Sequence, residues 1–324
     1  MGITVARLGA VAVTAAVGAG LLAGPALAAG SAVGGTGAQY FLNDSFTGSA
    51  NITCTYGDAG DDVYFGDWDG NGSDTPMIRR GGTFSVRNSN TTGAADSTFS
   101  YGDPGDTVLV GDWDGNGSDT LAVRRGNTFF VKNSVTTGKA DTTFVYGDPG
   151  DTVLVGNWDG QGGDTLVVRR GGHYFVKNDL LTGVASSDFW YGDPGDVVLT
   201  GRWSSGQPGD TLGVRRGGTY YLRNSLTSGA ADTVFGYGNP TDTAFTGDWN
   251  GDGVDSLGVR RPPTAPPPAP VPVTNLTVAQ KNALAMAQSY LKYTAFSRSG
   301  LIDQLEYEGF TAAQAEYGVS QAGL

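Results

Sequence analysis

The chain has 324 residues and a formal net charge of −12, with 53 Gly, one Cys and one His. So acidic a chain repels phosphate backbones, which excludes nucleic acid as a partner. The lone Cys54 and lone His173 exclude a disulfide framework, a zinc ribbon and, in practice, a Ser-His-Asp triad.

Arg7 precedes an Ala/Val/Leu/Gly run from Leu8 to Leu22, and Ala26-Leu27-Ala28 follows Pro25. This pattern predicts a secretory signal peptide over 1–28, cut after Ala28. The run is too short and too rich in small residues for a membrane anchor. The mature protein is therefore expected to be exported, without an integral membrane segment, and monomeric.

From about residue 38 the sequence repeats. Tyr56, Tyr101, Tyr146, Tyr191 and Tyr237 each open a Tyr-Gly-Asp/Asn turn, at intervals of 45, 45, 45 and 46. Trp68, Trp113, Trp158, Trp203 and Trp249 keep that spacing, as do Arg pairs from Arg79-Arg80 to Arg260-Arg261. Each unit holds four short runs rich in Val, Phe, Thr and Leu, divided by Gly/Asp/Asn turns, as in Thr107–Trp113, Thr120–Arg125, Thr128–Asn133 and Thr142–Gly147. Four strands per ~45 residues is the period of a β-propeller blade. The third and fourth strand types begin first, at Tyr40–Asp44 and Ile52–Gly57, while the first and second end last, at Trp249 and Arg261. The expected fold over 38–261 is an all-β, five-bladed propeller whose final blade pairs both ends of the repeat, removing two exposed sheet edges.

Between the first and second strands of a blade lies an acidic loop. Three copies carry oxygen side chains at positions 1, 3, 5 and 8: Asp67, Asp69, Asn71 and Asp74; Asp112, Asp114, Asn116 and Asp119; Asp248, Asn250, Asp252 and Asp255. Oxygens at 1, 3 and 5 with Gly at 6 suit a calcium loop. The third copy weakens to Asn157, Asp159 and Gln161, and the fourth begins Arg202-Trp-Ser204. Two or three calcium sites are expected, with extracellular affinities of about 10⁻⁴–10⁻³ M; the competing reading is a set of metal-free Asx-Gly turns. These loops and the blade period resemble the FG-GAP/VCBS family of propeller repeats over 38–261. The resemblance implies calcium between the first two strands. The family's ninth-position acid stands here one residue early, at Asp74, Asp119 and Asp255, leaving a hydroxyl or a water for the last ligand.

The five periodic Trp are read as packing between blades rather than as sugar platforms. The Arg pairs are expected to meet Asp of adjacent blades, such as Asp106, Asp151 and Asp196. The blade-to-blade turns, opposite the acidic loops, are the face on which a ligand is sought. His173 reads as an exposed strand residue and Cys54 as a buried, inert thiol. Asp44, Asp62, Asp179 and Asp188 are the acids that break the repeat.

A Pro-rich spacer over 262–274 follows, and then a helical pattern over 275–324. Helices are predicted over Val278–Phe296, capped by Thr277, over about Leu301–Glu308, stopped by Gly309, and after Thr311, which begins a capping box with Gln314. The segment Ala295–Phe310 (AFSRSGLIDQLEYEGF), together with Gln314–Val319, is similar to the Ltp-like helical domain of host cell surface-exposed lipoproteins. Some members of that family block injection of a second phage's DNA. Here one copy is present, without a lipid-acceptor Cys at the cleavage point. Ser297, Arg298, Asp303 and Glu306 are its candidate partner-binding residues.

These readings point to a secreted, non-catalytic binding protein, extracellular or held near the cell wall, whose partner is a cell-surface glycan or protein. An exclusion-like factor acting through the helices is the alternative. A glycoside hydrolase is a weaker one, because it needs a unique carboxylate pair and nearly every propeller Asp recurs from blade to blade.

Overall fold

A computed structural model describes residues 30–263, 277–294 and 296–324. The expected signal peptide over 1–28 and most of the expected spacer over 262–274 lie outside the described residues. The chain divides into two compact units, Met1–Pro263 and Thr264–Leu324.

The first unit is a five-bladed propeller. Its strands run β1 Gln39–Asn43, β2 Ile52–Thr55, β3 Asp62–Gly66, β4 Thr75–Arg80, β5 Thr83–Val86, β6 Ser97–Ser100, β7 Thr107–Gly111, β8 Thr120–Arg125, β9 Thr128–Lys132 and β10 Thr142–Val145. They continue β11 Thr152–Gly156, β12 Thr165–Arg170, β13 His173–Lys177, β14 Ser187–Trp190, β15 Val197–Gly201, β16 Thr211–Arg216, β17 Thr219–Leu222, β18 Thr233–Gly236, β19 Thr243–Gly247 and β20 Ser256–Arg261. Strands β3–β6, β7–β10, β11–β14 and β15–β18 form blades one to four, each an antiparallel meander. The fifth blade has the order β19-β20-β1-β2, with Gln39 opposite Arg261 and Asn43 opposite Leu257. Both ends of the repeat thus share one sheet, as the strand count requires.

Inner strands such as β7, with Val108, Leu109 and Val110 all buried, have protein on both faces. That is why they read as continuous apolar runs rather than alternating ones. Outer strands such as β10 bury only Phe144 and alternate. The five periodic Trp are buried at 4–5% exposure, packed in the cores between neighbouring blades. Cys54 is buried opposite Tyr40, and burial pushes its thiol up to about 11, so it is inert.

Each Arg of a pair has its own task. The first reaches the next blade: Arg79 donates to the backbone carbonyls of Asp106 and Asp103 at 2.8 and 2.7 Å. The second stays in its own blade: Arg125 binds Asp106 and Asp103 at 2.6 Å. The ion pairs therefore lie within blades, and the links between blades go through backbone carbonyls. Arg260, 1% exposed, closes the ring by donating to Gly37, Val33, Gly34 and Asp61.

The second unit has three helices, α1 Val278–Tyr293, α2 Arg298–Tyr307 and α3 Ala312–Gln321. Thr277 and Gln280 form a reciprocal cap on α1. Helix α1 stops at Tyr293, three residues short of the expected Phe296. Helix α2 begins at Arg298 rather than Leu301, because the Ser297 side chain accepts the Gly300 N–H and starts the turn earlier. Ala283, Ala287, Leu301, Leu305, Ala315 and Val319 are fully buried. A Cβ at Gly318 would lie 2.6 Å from the Ala283 backbone, so α1 and α3 approach closely only because that residue is glycine.

Candidate functional site

Five places among the described residues concentrate chemistry. At the acidic loops, the position-1 carboxylate closes the turn. Asp67 accepts the N–H groups of Gly70, Asn71 and Gly72 at 2.9, 3.1 and 2.7 Å, and Asn71 in turn accepts that of Ser73. Asp112 does the same for Asn116 and Gly117, and Asn116 for Ser118. Asp248 accepts from Asn250, Gly251, Asp252 and Gly253, while Asn250 and Asp252 bond to each other at 3.2 Å. Asp69 and Asp114 are exposed. Positions 1, 3 and 5 therefore share one turn in each of the three loops.

Position 8 does not join them. The carboxylates of Asp119, Asp164, Asp210, Asp255 and Asp74 each cross to the preceding blade and accept the position-1 backbone N–H there, at 2.7–2.9 Å. Their own N–H groups donate to the position-1 carbonyl of the same residue, for example Asp119 to Asp67 at 2.7 Å. Tested against calcium, the position-1 and position-5 side-chain oxygens of each loop already accept backbone N–H groups of the turn. Among the described residues, no three Asp, Glu, His or Cys side chains converge as a metal cluster.

The crossing carboxylates form a ring at one mouth of the central channel. All five line one cavity of about 200 Å³, together with Thr200, Val155 and Gly30. Glycines at the ends of the inner strands make this possible. A Cβ at Gly66, Gly111 or Gly156 would sit 2.8–2.9 Å from the arriving Oδ2 of Asp119, Asp164 or Asp210. Burial, reinforced by neighbouring carboxylates, raises Asp119 to about 7 and Asp255 to about 8, and pushes Asp74 and Asp164 well up. Asp210 is raised by burial.

The opposite rim carries the Tyr-Gly-Asp turns. There Asp61, Asp106 and Asp151 are held below the ordinary carboxylate range by hydrogen bonds from Arg80, Arg125 and Arg170. The carboxylates on the face where a ligand was sought are thus already engaged by arginine.

One blade departs from the repeat. In the third, the His173 ring stacks on Trp190 at 4.2 Å and 12°, and its Nε2 lies 2.7 Å from Asp188 Oδ2. His173 is half-buried rather than exposed, because the indole covers one side of it. Trp190 is 58% exposed. Sister blades have Ser100, Val145 and Gly236 at the Trp190 position. Sequence reasoning weighed Asp188 and His173 separately and passed over Trp190. The available signal was arithmetic: six Trp against five repeats.

On the helical unit, two of the four candidate partner residues are used internally. Ser297 caps α2, and Arg298 joins α2 to α3 through Glu316 and Ser320, at 3.3 and 3.1 Å. Asp303 and Glu306 are exposed, beside Tyr307 at 86% exposure. No described helix is long and apolar enough to cross a membrane.

The family described as host cell surface-exposed lipoprotein (Lipoprotein_Ltp) matches residues 279–321, which is the helical unit alone. No curated protein matches the chain. Two solved structures of BBS1N in complex with ARL6DN are similar to part of it. The mercury-soaked crystal is 14% identical with a TM-score of 0.32, over 62% of this chain and 68% of that one. The lead-soaked crystal is 12% identical with a TM-score of 0.28, over 74% and 99%. Likeness at that level carries no argument about function.

Proposed function

We propose that this chain is an exported, non-catalytic interaction protein of the bacterial cell surface, whose propeller recognises a glycan on the third blade. The observation that carries this is the exposed Trp190 face, held flat by His173 and flanked by the Asp188 carboxylate. An indole presented this way stacks on the apolar face of a sugar ring, while a carboxylate beside it accepts hydroxyl protons. The channel carboxylates support a scaffold role, since each is repeated fivefold and tied to a neighbouring backbone N–H. The match of 279–321 to surface-exposed lipoproteins supports the location.

Calcium belongs to this reading as a ligand of the acidic rim, using Asp67, Asp69 and Asn71 and their counterparts with water completing the shell. Calorimetric titration checks it: the heat of calcium binding should fall by about a third in Asp69→Ala if three loops bind alike. The glycan reading is tested by retention of the full mature chain on purified cell wall and on a glycan array. Retention should be lost in Trp190→Ala and kept in Arg298→Ala; equal retention of wild type and Trp190→Ala would refute it.

A second reading is favoured by the exposed Asp303, Glu306 and Tyr307 on one face of α2. Here the helical unit contacts an envelope protein and the chain acts as an exclusion-like factor. Phage-DNA injection into cells expressing Tyr307→Ala against wild type separates the two readings.

A further inference from the structure

The junctions between blades are not all closed alike. At three of them a threonine from the outer loop of the next blade bolts the edge strand. Thr92 Oγ1 accepts the Thr55 N–H at 3.2 Å, and Thr137 and Thr182 accept those of Ser100 and Val145 at 3.0 Å. The other two junctions lack the bolt. Tyr191 and Tyr237 donate to the carbonyls of Gly172 and Gly218. By antiparallel alternation, the N–H groups of Trp190 and Gly236, one residue earlier, therefore point out of the sheet edge. Facing Trp190, the threonine is replaced by Ser228, whose carbonyl is engaged by Arg223 at 3.2 Å and whose hydroxyl bonds no described group. In the fifth blade Leu42 pairs with Ile52, where Val131 pairs with Thr142 in the second, so the loop is one residue shorter. Its Thr47 hydroxyl is drawn back to Asn43 Oδ1 and the Ser49 carbonyl, each at 3.2 Å.

A cavity opens at each unbolted junction. One, of about 320 Å³, is lined by Tyr191 and Gly229, the residues that follow Trp190 and Ser228. The other, of about 200 Å³, is lined by Tyr237 and Gly48, which follow Gly236 and Thr47. The two correspond position by position. Each is lined by a valine, Val214 or Val259, and by an aromatic ring, Tyr221 or Phe41. Over that ring lies the guanidinium of Arg216 or Arg261, at 5.5 and 4.0 Å. Asp193 in the first cavity stands where Asn239 stands in the second. Both arginines are already paired, Arg216 with Asp193 and Asp196 at 2.7 Å and Arg261 with Asp242 at 2.9 Å.

We propose that these two cavities are sites for a neutral glycan, each taking one sugar ring, so that the propeller holds its ligand at more than one point. The bolted junctions show what the outward N–H accepts there, which is a hydroxyl oxygen carried on carbon. A sugar ring supplies that hydroxyl together with an apolar face for the aromatic ring. Charge sets the class. Neither arginine is left unpaired to attract an acidic sugar, and the chain carries a net charge of −12, so a neutral ring is favoured. Two sites on one rigid body raise avidity beyond that of either alone. The proposal shares only the class of ligand with the Trp190 platform and does not depend on that indole.

The test is retention of the full mature chain on an array of neutral and acidic glycans. Ala231→Leu/Ala50→Leu fills both cavities and should lower retention on neutral glycans at least ~10-fold, with the melting temperature unchanged. Ser228→Thr restores one bolt by adding a single methyl group, and should also weaken retention if the filled variant folds poorly. In the wild-type chain saturated with a retained glycan, the amide signals of Trp190 and Gly236 should shift in NMR spectra, and that of bolted Val145 should not. Trp190→Ala keeps the backbone N–H and so separates the readings. Loss there with full retention in the filled variant overturns the cavities and keeps the indole; the reverse keeps the cavities and overturns the indole. Unmoved Trp190 and Gly236 amides overturn the proposal, as does stronger retention on acidic glycans. It is also overturned if threonine-bearing peptides shift those amides and no glycan does, which would make the occupant a protein segment. No retention of any glycan overturns both readings.

Discussion

The two rims of the propeller are built from the same residue and hold it in opposite electrostatic states. On the turn rim, Asp61, Asp106 and Asp151 sit under arginine guanidinium groups and are stabilised as anions. At the channel mouth, Asp119, Asp164 and Asp255 face one another and backbone N–H groups, and ionise reluctantly. Fivefold repetition alone therefore does not say whether an acid is a structural ion pair or a site under charge stress. What decides it is which blade supplies the partner. Turn-rim Asp meets an Arg of its own blade, whereas mouth Asp hydrogen-bonds the backbone of the blade before.

The largest effect should come from pH, with opposite signs at the two rims. A mouth Asp with a raised pKa contributes stability in its protonated form. That contribution is present at low pH and lost as pH rises through about 7 for Asp119 and about 8 for Asp255. A turn-rim Asp with a lowered pKa contributes stability above its unfolded value of 3.8, lost as pH falls through the lower folded value. With chelator present, melting temperature should thus peak in mildly acid solution and decline toward pH 8. Differential scanning calorimetry from pH 3 to 9 checks this, and a flat profile from pH 5 to 8 would show the mouth already neutralised.

Next in size is Gly111→Ala. The new methyl would meet Asp164 Oδ2 and Val155 Cγ1, each at 2.8 Å, and would displace the carboxylate from the Asp112 N–H. Overpacking together with a lost charge-assisted bond should cost about 3 kcal/mol, measured by urea unfolding. The paired change Gly111→Ala/Asp164→Ala should recover part of that loss. No recovery would mean the glycine is needed for another reason.

Much of this was legible in the sequence. A 45-residue period with four runs per unit gives the blades, and the offset between the first and last strand types gives the closing sheet. Period, however, locates a residue within its repeat and is silent about which copy it touches. Asp74, Asp119 and Asp255 therefore read as ligands of their own loops, although they belong to the channel. The segment from Gly30 to Val33 was invisible for a related reason: it lies outside the repeat, and its few inner-strand bonds leave no periodic trace. Trp190 escaped because it replaces a small or aliphatic residue on an outer strand, where propensity accepts either.

The smallest effects come from adjacent arginines, and their ratio sharpens the contrast between links across blades and links within one. Arg169 is 7% exposed and donates to the carbonyls of Asp193 and Pro194 at 3.1 and 3.2 Å, tying the third blade to the turn that opens the fourth. Arg169→Ala would remove a buried side chain that links two blades, and should cost about 2 kcal/mol in urea unfolding. Arg170 makes shorter bonds, at 2.6 and 2.7 Å to Asp148 and Asp151, yet its side chain is 47% exposed and both partners belong to its own blade. Solvent screens that pair, and water replaces the lost donors, so Arg170→Ala should cost under about 1 kcal/mol despite the better geometry. Salt gives an independent check. In 1 M NaCl the deficit of Arg170→Ala should shrink, whereas that of Arg169→Ala should persist, because its acceptors are neutral carbonyls. Equal losses for the two variants would mean that the exposed ion-pair rim, and not the carbonyl links, holds the blades in register.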